Sequence, residues 1–242
     1  MIRLFKRKKT KSNPLTVDIH SHLLPGLDDG VSSLDESLEI LKKFEKFGYK
    51  KVVTTPHIMS DFYRNTPDGI SEALQELQHF VKDKTEIIVE AAAEYYLDEG
   101  FIELLTEHTD LILCIGNKYI LFETSFMSEP VYLKEAIFYI QSNGYKPLMA
   151  HPERYQYLHN SWDLTQDLID RGTLFQININ SLAGYYTKPV QKMAIRLIKN
   201  DMVHFLGSDC HNMNHWDVTL KAFNTKGFRL ATGLPLLNNS LA

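Results

Sequence analysis

Residues 16–30 read Thr-Val-Asp-Ile-His-Ser-His-Leu-Leu-Pro-Gly-Leu-Asp-Asp-Gly, a short β-branched run that ends in His20-Ser21-His22 and then in the acidic turn Asp28-Asp29-Gly30. Side chains alternate along an extended segment, so His20 and His22 leave it from one face. The same plan recurs down the chain. KVVTT (51–55) runs into Pro56-His57, EIIVEAA (86–92) into Ala93-Glu94, and YILFET (119–124) carries Glu123. KPLMA (146–150) precedes His151-Pro152-Glu153-Arg154, and VHFLGS (203–208) precedes Asp209-Cys210-His211. Adding LFQINI (174–179) makes seven predicted strands, six of which deliver a His, Asp or Glu at the C-terminal end.

Helical periods fill the intervals. Ser33-Leu34-Asp35-Glu36 forms a capping-box pattern, followed by Leu34, Leu38, Leu41 and Phe44 at helical spacing and a stop at Gly48. Residues 70–81, 130–143, 161–171 and 187–200 read as further helices. No repeat or low-complexity linker divides residues 15–242, which predicts one α/β domain with a mainly parallel sheet, open or closed as a barrel. In such folds the C-terminal strand edge is where chemistry is done.

The 242 residues are 44% hydrophobic and 23% charged, an ordinary globular composition. A net charge of −4 argues against a nucleic-acid partner. That balance is uneven, because Arg3, Lys6, Arg7, Lys8, Lys9 and Lys11 sit in the first dozen residues without an acid among them. Residues 1–14 are therefore expected to form a basic, flexible tail, able to make weak contact with an anionic membrane surface. This segment lacks the apolar centre of a signal peptide, and Cys114 and Cys210 make no disulfide framework, so a cytoplasmic location, extending to the inner face of the membrane, is expected. The glycine signatures of dinucleotide and P-loop folds are absent. A cysteine-based phosphatase would need Cys-x5-Arg, yet the sixth residue after Cys114 is Ile120 and after Cys210 is Trp216.

Imidazoles mixed with carboxylates, without a thiolate cluster, suit Mn, Fe, Zn or Mg. Sharing a carboxylate would let such a set hold two or three ions ~3.5–4 Å apart, a geometry that activates water and clamps a phosphoryl group. His20-x-His22, Thr-Pro-His57, Glu94-Tyr-Tyr, Leu-Phe-Glu123, Ala-His151-Pro-Glu-Arg154 and Ser-Asp209-Cys-His211-Asn together resemble the PHP (polymerase and histidinol phosphatase) superfamily. More narrowly, the chain resembles its bacterial manganese-dependent tyrosine phosphatases of capsule and exopolysaccharide synthesis, over residues 16 to 240.

This resemblance implies a distorted seven-stranded (β/α)7 barrel and a trinuclear site. It assigns His20, His22, Glu94 and Asp209 to one metal. Glu94, bridging, joins Glu123 and His151 at a second, while Asp28, or Asp29 in its place, joins His57 and His211 at a third. Three divalent ions per chain, Mn²⁺ first, are the implied cofactors. Arg154 is implied to bind the substrate phosphate, and Arg64 is a candidate contact to the phosphotyrosine or its acidic flanks. The implied reaction is hydrolysis of protein phosphotyrosine by a metal-bridging hydroxide. Its implied partner is the tyrosine-rich tail of a bacterial capsule-assembly kinase. Two other readings stay open, a small-molecule phosphomonoesterase of the histidinol-phosphatase kind and a metal-binding module without turnover.

Among the remaining polar residues, Asp18 shares a face with His20 and is expected to orient a ligand from behind. Asn178, Asn180 and Ser181 are candidates for the pocket wall. The Tyr185-Tyr186 pair is expected to pack, and His79, His108, His159, His204 and His215 to be structural or solvated.

Overall fold

The computed structural model describes residues 13–242. Most of the tail assigned to residues 1–14 lies outside the described residues. Among the described residues there are nine short strands, most of them separated by helices: β1 (Val17–Asp18), β2 (Lys51–Thr54), β3 (His57–Ile58), β4 (Ile88–Ala91), β5 (Glu94–Tyr96), β6 (Tyr119–Glu123), β7 (Lys146–Ala150), β8 (Leu174–Asn178) and β9 (Phe205–Gly207). Every pairing between these strands is parallel, in a three-stranded sheet β1-β2-β4 and a six-stranded sheet β3-β5-β6-β7-β8-β9.

The seven predicted strands are all present, but they do not form one sheet. Only Thr55 and Pro56 separate β2 from β3, and only Ala92 and Ala93 separate β4 from β5. Each pair is one extended run that bends and passes from the first sheet to the second. Hydrogen bonds follow it round the bend, from Thr55 N to Ser21 O (2.7 Å), Ala92 N to Thr54 O (2.9 Å) and Glu94 N to Pro56 O (3.1 Å). The expected α/β fold with parallel strands is present, and among the described residues the strands fall into two parallel sheets that share bent strands.

The first and last strands are joined differently. Ser21 and Cys210 form an isolated parallel bridge, His22 N donates to Cys210 O at 2.9 Å, and Asp209 N donates to His20 O at 2.8 Å. Lower down, side chains replace the ladder. The buried Asn238 accepts from Leu206 N (3.0 Å) and donates to Val17 O and Leu206 O, while Asp18 accepts from Ser208 N (2.8 Å) and Oγ (2.9 Å). This seam of side chains lies directly beneath the His20 and Asp209 positions.

Helix ends follow their local chemistry. The helix Leu34–Phe47 is capped by Ser33, whose Oγ accepts from Glu36 N, and ends at Gly48 with φ 101°, a left-handed conformation that glycine adopts without strain. The carboxylate of Glu36 reaches Ser32 N at 3.1 Å, one residue earlier than the box pattern places it. The helix expected over 70–81 begins earlier, at Pro67, because Thr66 caps it and proline suits the first turn. Leu133–Ser142, Trp162–Asp170 and Lys188–Lys199 match the other three expected helices. Helices Glu99–Glu107 and Met213–Ala222, capped by Asp98 and Asn212, were not anticipated.

Two apolar clusters hold these layers. The larger lies between strands and helices, with Phe44, Tyr95, Phe122, Phe175 and Trp216 among its fully buried members. The smaller gathers Val17, Val53, Tyr119, Leu121, Leu148 and Phe205. Along β6, Tyr119 and Leu121 belong to the smaller cluster and Glu123 follows on the same face by the two-residue period. The polar residues at the C-terminal ends therefore stand on an apolar floor.

Candidate metal centre

Glu94, the first residue of β5, lies at the centre of the site. Its Oε2 is 3.1 Å from His20 Nε2, 3.4 Å from His22 Nε2 and 3.3 Å from His57 Nδ1, and its Oε1 is 3.0 Å from His151 Nε2. Glu123 comes within 3.1 Å of His57 Nδ1 and 3.8 Å of His151 Nε2. Asp209 Oδ1 stands 3.5 Å from both His20 and His22 and 3.4 Å from His211 Nδ1. Eight of the nine candidate ligands thus converge from six strand ends and the loops that follow them.

Asp28 is the ninth, and it is engaged elsewhere. One oxygen accepts from His22 Nδ1 (2.7 Å) and from His57 N (3.0 Å), the other from Gly30 N (2.9 Å). Its neighbour Asp29 takes the expected place, with Oδ1 3.6 Å from His57 Nε2 and 3.4 Å from His211 Nε2. Of the two alternatives, the geometry favours Asp29 as the donor and makes Asp28 the residue that aims His22. Gly30 permits this turn, since a Cβ there would stand 2.2 Å from His22 O.

Three groups have donor atoms that all lie within 4.8 Å of one another: His20, His22 and Glu94; His57, Glu94 and Glu123; and His22, Asp29, His57 and His211. Donors ~2.1 Å from one ion stand about 3.0–3.4 Å apart in octahedral or tetrahedral arrangements. The nitrogen–oxygen separations within the cluster, 3.0–3.8 Å, lie within or slightly beyond that spacing. The buried Nδ1 atoms of His57 and His151 have no hydrogen-bond partner. Such a set of nitrogen and oxygen donors fits divalent cations.

Backbone strain and electrostatics agree with this. His151 and Asp209 have φ values of 34° and 50°, uncommon for residues with a Cβ and costly unless the surroundings impose them. Burial alone would strip the proton from His20, but Glu94 and Asp209 outweigh it and push His20 up to about 9. Burial would raise Glu94 and Asp209, yet the facing imidazoles hold both well below the usual carboxylate range. The carboxylates and imidazoles thus stabilise one another's charged forms in a buried cluster.

Residues behind the imidazoles fix their orientation. The Nδ1–H of His20 donates to Gln176 Oε1 at 2.7 Å, leaving Nε2 to face Glu94, and Gln176 in turn donates to Asn178. His211 Nδ1 lies 3.0 Å from the Asp209 carbonyl, which His215 Nδ1 also meets at 3.0 Å. Holding a ligand imidazole from its other nitrogen is how metal sites set tautomer and basicity. Asp18, expected in this role, instead ties Ser208 to β1, and burial pushes it up to about 7. Gln176 escaped attention because it is uncharged, although it shares a strand face with Asn178.

Asp209 Oδ2 accepts from Asn178 Nδ2 at 2.5 Å and from Tyr186 Oη at 3.1 Å, so Asn178 supports a candidate ligand. Asn180 and Ser181 are buried structural residues, bonded to Thr219 and Glu153. Tyr186, expected only to pack, belongs to the site. Its ring and that of Phe126 each lie 4.4 Å from the Arg154 guanidinium carbon, and Arg154 Nη1 is 3.5 Å from Asp209 Oδ2. Arg64 is elsewhere. It is exposed, donates from Nε to Ser60 O at 2.6 Å, and lines a separate 580 Å³ cleft with Ile58, Tyr95 and Phe101. Cys210 is fully buried, its thiol pushed up by burial, and takes no part in the cluster.

With this geometry in hand, the comparisons with known proteins converge. The model of the family described as capsular polysaccharide synthesis, CpsB/CapC, matches residues 16–225. The tyrosine-protein phosphatase YwqE of Bacillus subtilis is 31% identical over 198 residues, covering 81% of this chain and 78% of that protein. Tyrosine-protein phosphatase CpsB of Streptococcus pneumoniae is 27% identical over 224 residues, covering 87% and 92%. A solved structure from work on these same two proteins, described as unique metal-dependent tyrosine phosphatases, superposes with a TM-score of 0.81 at 28% identity, covering 93% of each chain.

Proposed function

The chain belongs to the CpsB/CapC family of capsular polysaccharide synthesis, and from that premise we propose how its buried cluster carries out the hydrolysis of phosphotyrosine. The protein is a metal-dependent tyrosine-protein phosphatase, a phosphoric monoester hydrolase. The observation that carries the proposed mechanism is the convergence of His20, His22, His57, His151 and His211 on Glu94, Glu123, Asp29 and Asp209, beside one guanidinium.

We assign His20, His22, Glu94 and Asp209 to one ion, Glu94, Glu123 and His151 to a second, and Asp29, His57 and His211 to a third. The donor set suits Mn, Fe, Zn or Mg, and manganese comes first by the resemblance to the manganese-dependent phosphatases, a choice that metal analysis tests. Bound divalent ions supply positive charge for the phosphoryl oxygens and lower the pKa of coordinated water toward 7. The protein's own groups do the rest. Arg154, packed against the Phe126 and Tyr186 rings, donates to a non-bridging phosphate oxygen and stabilises the charge there. Gln176 and Asp28 keep the imidazoles aimed, so little reorganisation is needed. Tyrosine leaves as a phenolate of unperturbed pKa about 10, a leaving group that needs modest acid assistance.

We read the two sheets, continuous through their bent strands and bridged at Ser21 and Cys210, as the family's distorted seven-membered ring with the site at its C-terminal mouth. The substrate we propose is a phosphotyrosine segment of a capsule-assembly kinase, met in the cytoplasm at the inner membrane face. Among the described residues no helix is long and apolar enough to cross a membrane. The histidinol-phosphatase-like alternative loses to the relatives' shared identity as tyrosine phosphatases.

The test is an assay of Mn²⁺-loaded protein on a phosphotyrosine peptide and on histidinol phosphate, with metal content measured alongside. Turnover of the peptide, lost in His20→Ala and kept in Cys210→Ser, is expected. Metal-loaded protein inert toward both substrates would overturn the mechanism.

A further inference from the structure

The chain between β6 and the helix Leu133–Ser142 starts directly after Glu123 and forms one lip of the site. Its backbone is held in place. Thr124 N donates to Tyr155 Oη (3.1 Å), Met127 N to Ser125 Oγ (3.3 Å) and Leu133 N to Pro130 O (3.2 Å). From the neighbouring wall, Gln156 N donates to Phe126 O at 2.8 Å. Its apolar side chains nevertheless face water, with Met127 67% and Val131 93% exposed, followed by Phe138 at 64%. Scattered single apolar residues are normal on a surface, whereas several on one pinned loop beside a site mark an interaction surface.

Phe126 joins this surface to the chemistry. Its ring covers the Arg154 guanidinium and approaches the His151 ring (5.9 Å between centroids), yet it remains 38% exposed. A phosphate held by Arg154 must carry its phenyl ring outward past that exposed edge.

We propose that residues 126–131 are the substrate-docking lip: Phe126 packs against the phosphotyrosine ring, and Met127 and Val131 receive an apolar side chain next to the phosphotyrosine in the substrate protein. This deepens the phosphatase reading and rests on it. Phe126, Met127 and Val131 stand beside exposed Ser128 and Glu129 on this lip and are already positioned, so these apolar members favour an aryl phosphate next to an apolar residue without reorganising. Neither Met127 nor Val131 is a candidate ligand, so docking and chemistry are separable.

The experiment uses the full chain loaded with Mn²⁺, as wild type and as the double variant Met127→Ser/Val131→Ser. Both side chains are exposed, so the thermal midpoint should not move. Three probes are compared: a peptide with phosphotyrosine flanked by leucines, the same peptide flanked by serines, and para-nitrophenyl phosphate. Losing the burial of two apolar side chains should raise KM for the leucine peptide about tenfold with kcat unchanged. The serine peptide and para-nitrophenyl phosphate should differ by less than about twofold between proteins. Anisotropy of the fluorescently labelled leucine peptide in its dephosphorylated form, read without turnover, should show the same loss of affinity. An unchanged KM for the leucine peptide overturns the proposal, as does an equal loss on all three probes. A change in sedimentation mass with unchanged peptide KM would assign the lip to contact between copies of the chain. Failure of the phosphatase reading looks different, because wild type would then turn over none of the probes.

Discussion

Asp28 and Asp29 are adjacent in sequence and are proposed to play opposite roles, one aiming a ligand and one ligating, so their substitutions should separate cleanly. Asp28 is buried and accepts three hydrogen bonds, from His22 Nδ1, Gly30 N and His57 N, at 2.7, 2.9 and 3.0 Å. Asp28→Ala leaves those donors without an acceptor. At about 1 kcal/mol each the loss is roughly 3 kcal/mol, which for a chain of this size lowers Tm by about 6–12 °C. Asp29 has a side chain 56% exposed, with His57 and His211 as its ion-pair partners. Asp29→Ala should therefore leave Tm in excess chelator within about 2 °C of wild type, as surface changes do. Its effect should appear instead as one fewer ion per chain after Mn²⁺ loading and desalting. Calorimetry in chelator and elemental analysis of the loaded protein give the two readouts. If Asp28→Ala lost one ion at unchanged chelator-state stability, while Asp29→Ala kept the full complement, the assignment of aiming and ligating roles would be reversed.

Arg154→Lys keeps the charge but loses the plane that packs against Phe126 and Tyr186 and donates in pairs, so kcat should fall about 10²-fold with little change in KM. Kinetics on the phosphotyrosine peptide decide it, and near-wild-type kcat would remove Arg154 from the chemistry. Iodoacetamide at neutral pH should leave activity intact and Cys210 unlabelled by mass spectrometry, because that thiol is buried and held protonated. Labelling of Cys210 in folded protein would contradict its place beneath the site. Burial would raise Asp28, but His22 and the donated hydrogen bonds outweigh it and hold its carboxyl at about 2, below its unfolded value of 3.8. The stabilisation from ionised Asp28 is thus present above pH 4 and lost as pH falls toward 2. Urea midpoints across that window should fall less steeply in Asp28→Asn than in wild type, and parallel slopes would refute it.

The strand ends were legible in the sequence because a β-branched run followed by His or Glu carries two signals at once, one for the element and one for the chemistry. The bends were not. β3 and β5 are two and three residues long and follow Thr55-Pro56 and Ala92-Ala93 without a turn signal, so each reads as the tail of one strand. Neighbouring acids on one loop differ only in where the backbone turns them, which composition does not encode. Gln176 and Tyr186 stayed hidden because neutral residues raise no electrostatic flag. The period-two pairing of Gln176 with Asn178, on the one strand without a charged end, was the available clue.

The seam between β1 and β9 has a consequence for when the enzyme comes into being. His20 and His22 lie near the start of the chain and Asp209 and His211 near its end, and Asp18 and Ser208, which clamp the two sides, are 190 residues apart. A chain emerging from the ribosome can fold its early strands as they appear, domain parts being made from the N-terminus onward. It cannot assemble this cluster until the last strand docks. In the proposed mechanism catalysis is thus withheld until that strand docks, and an ion held across the β1–β9 junction would act as a clasp, its binding energy adding to the stability of the assembled form.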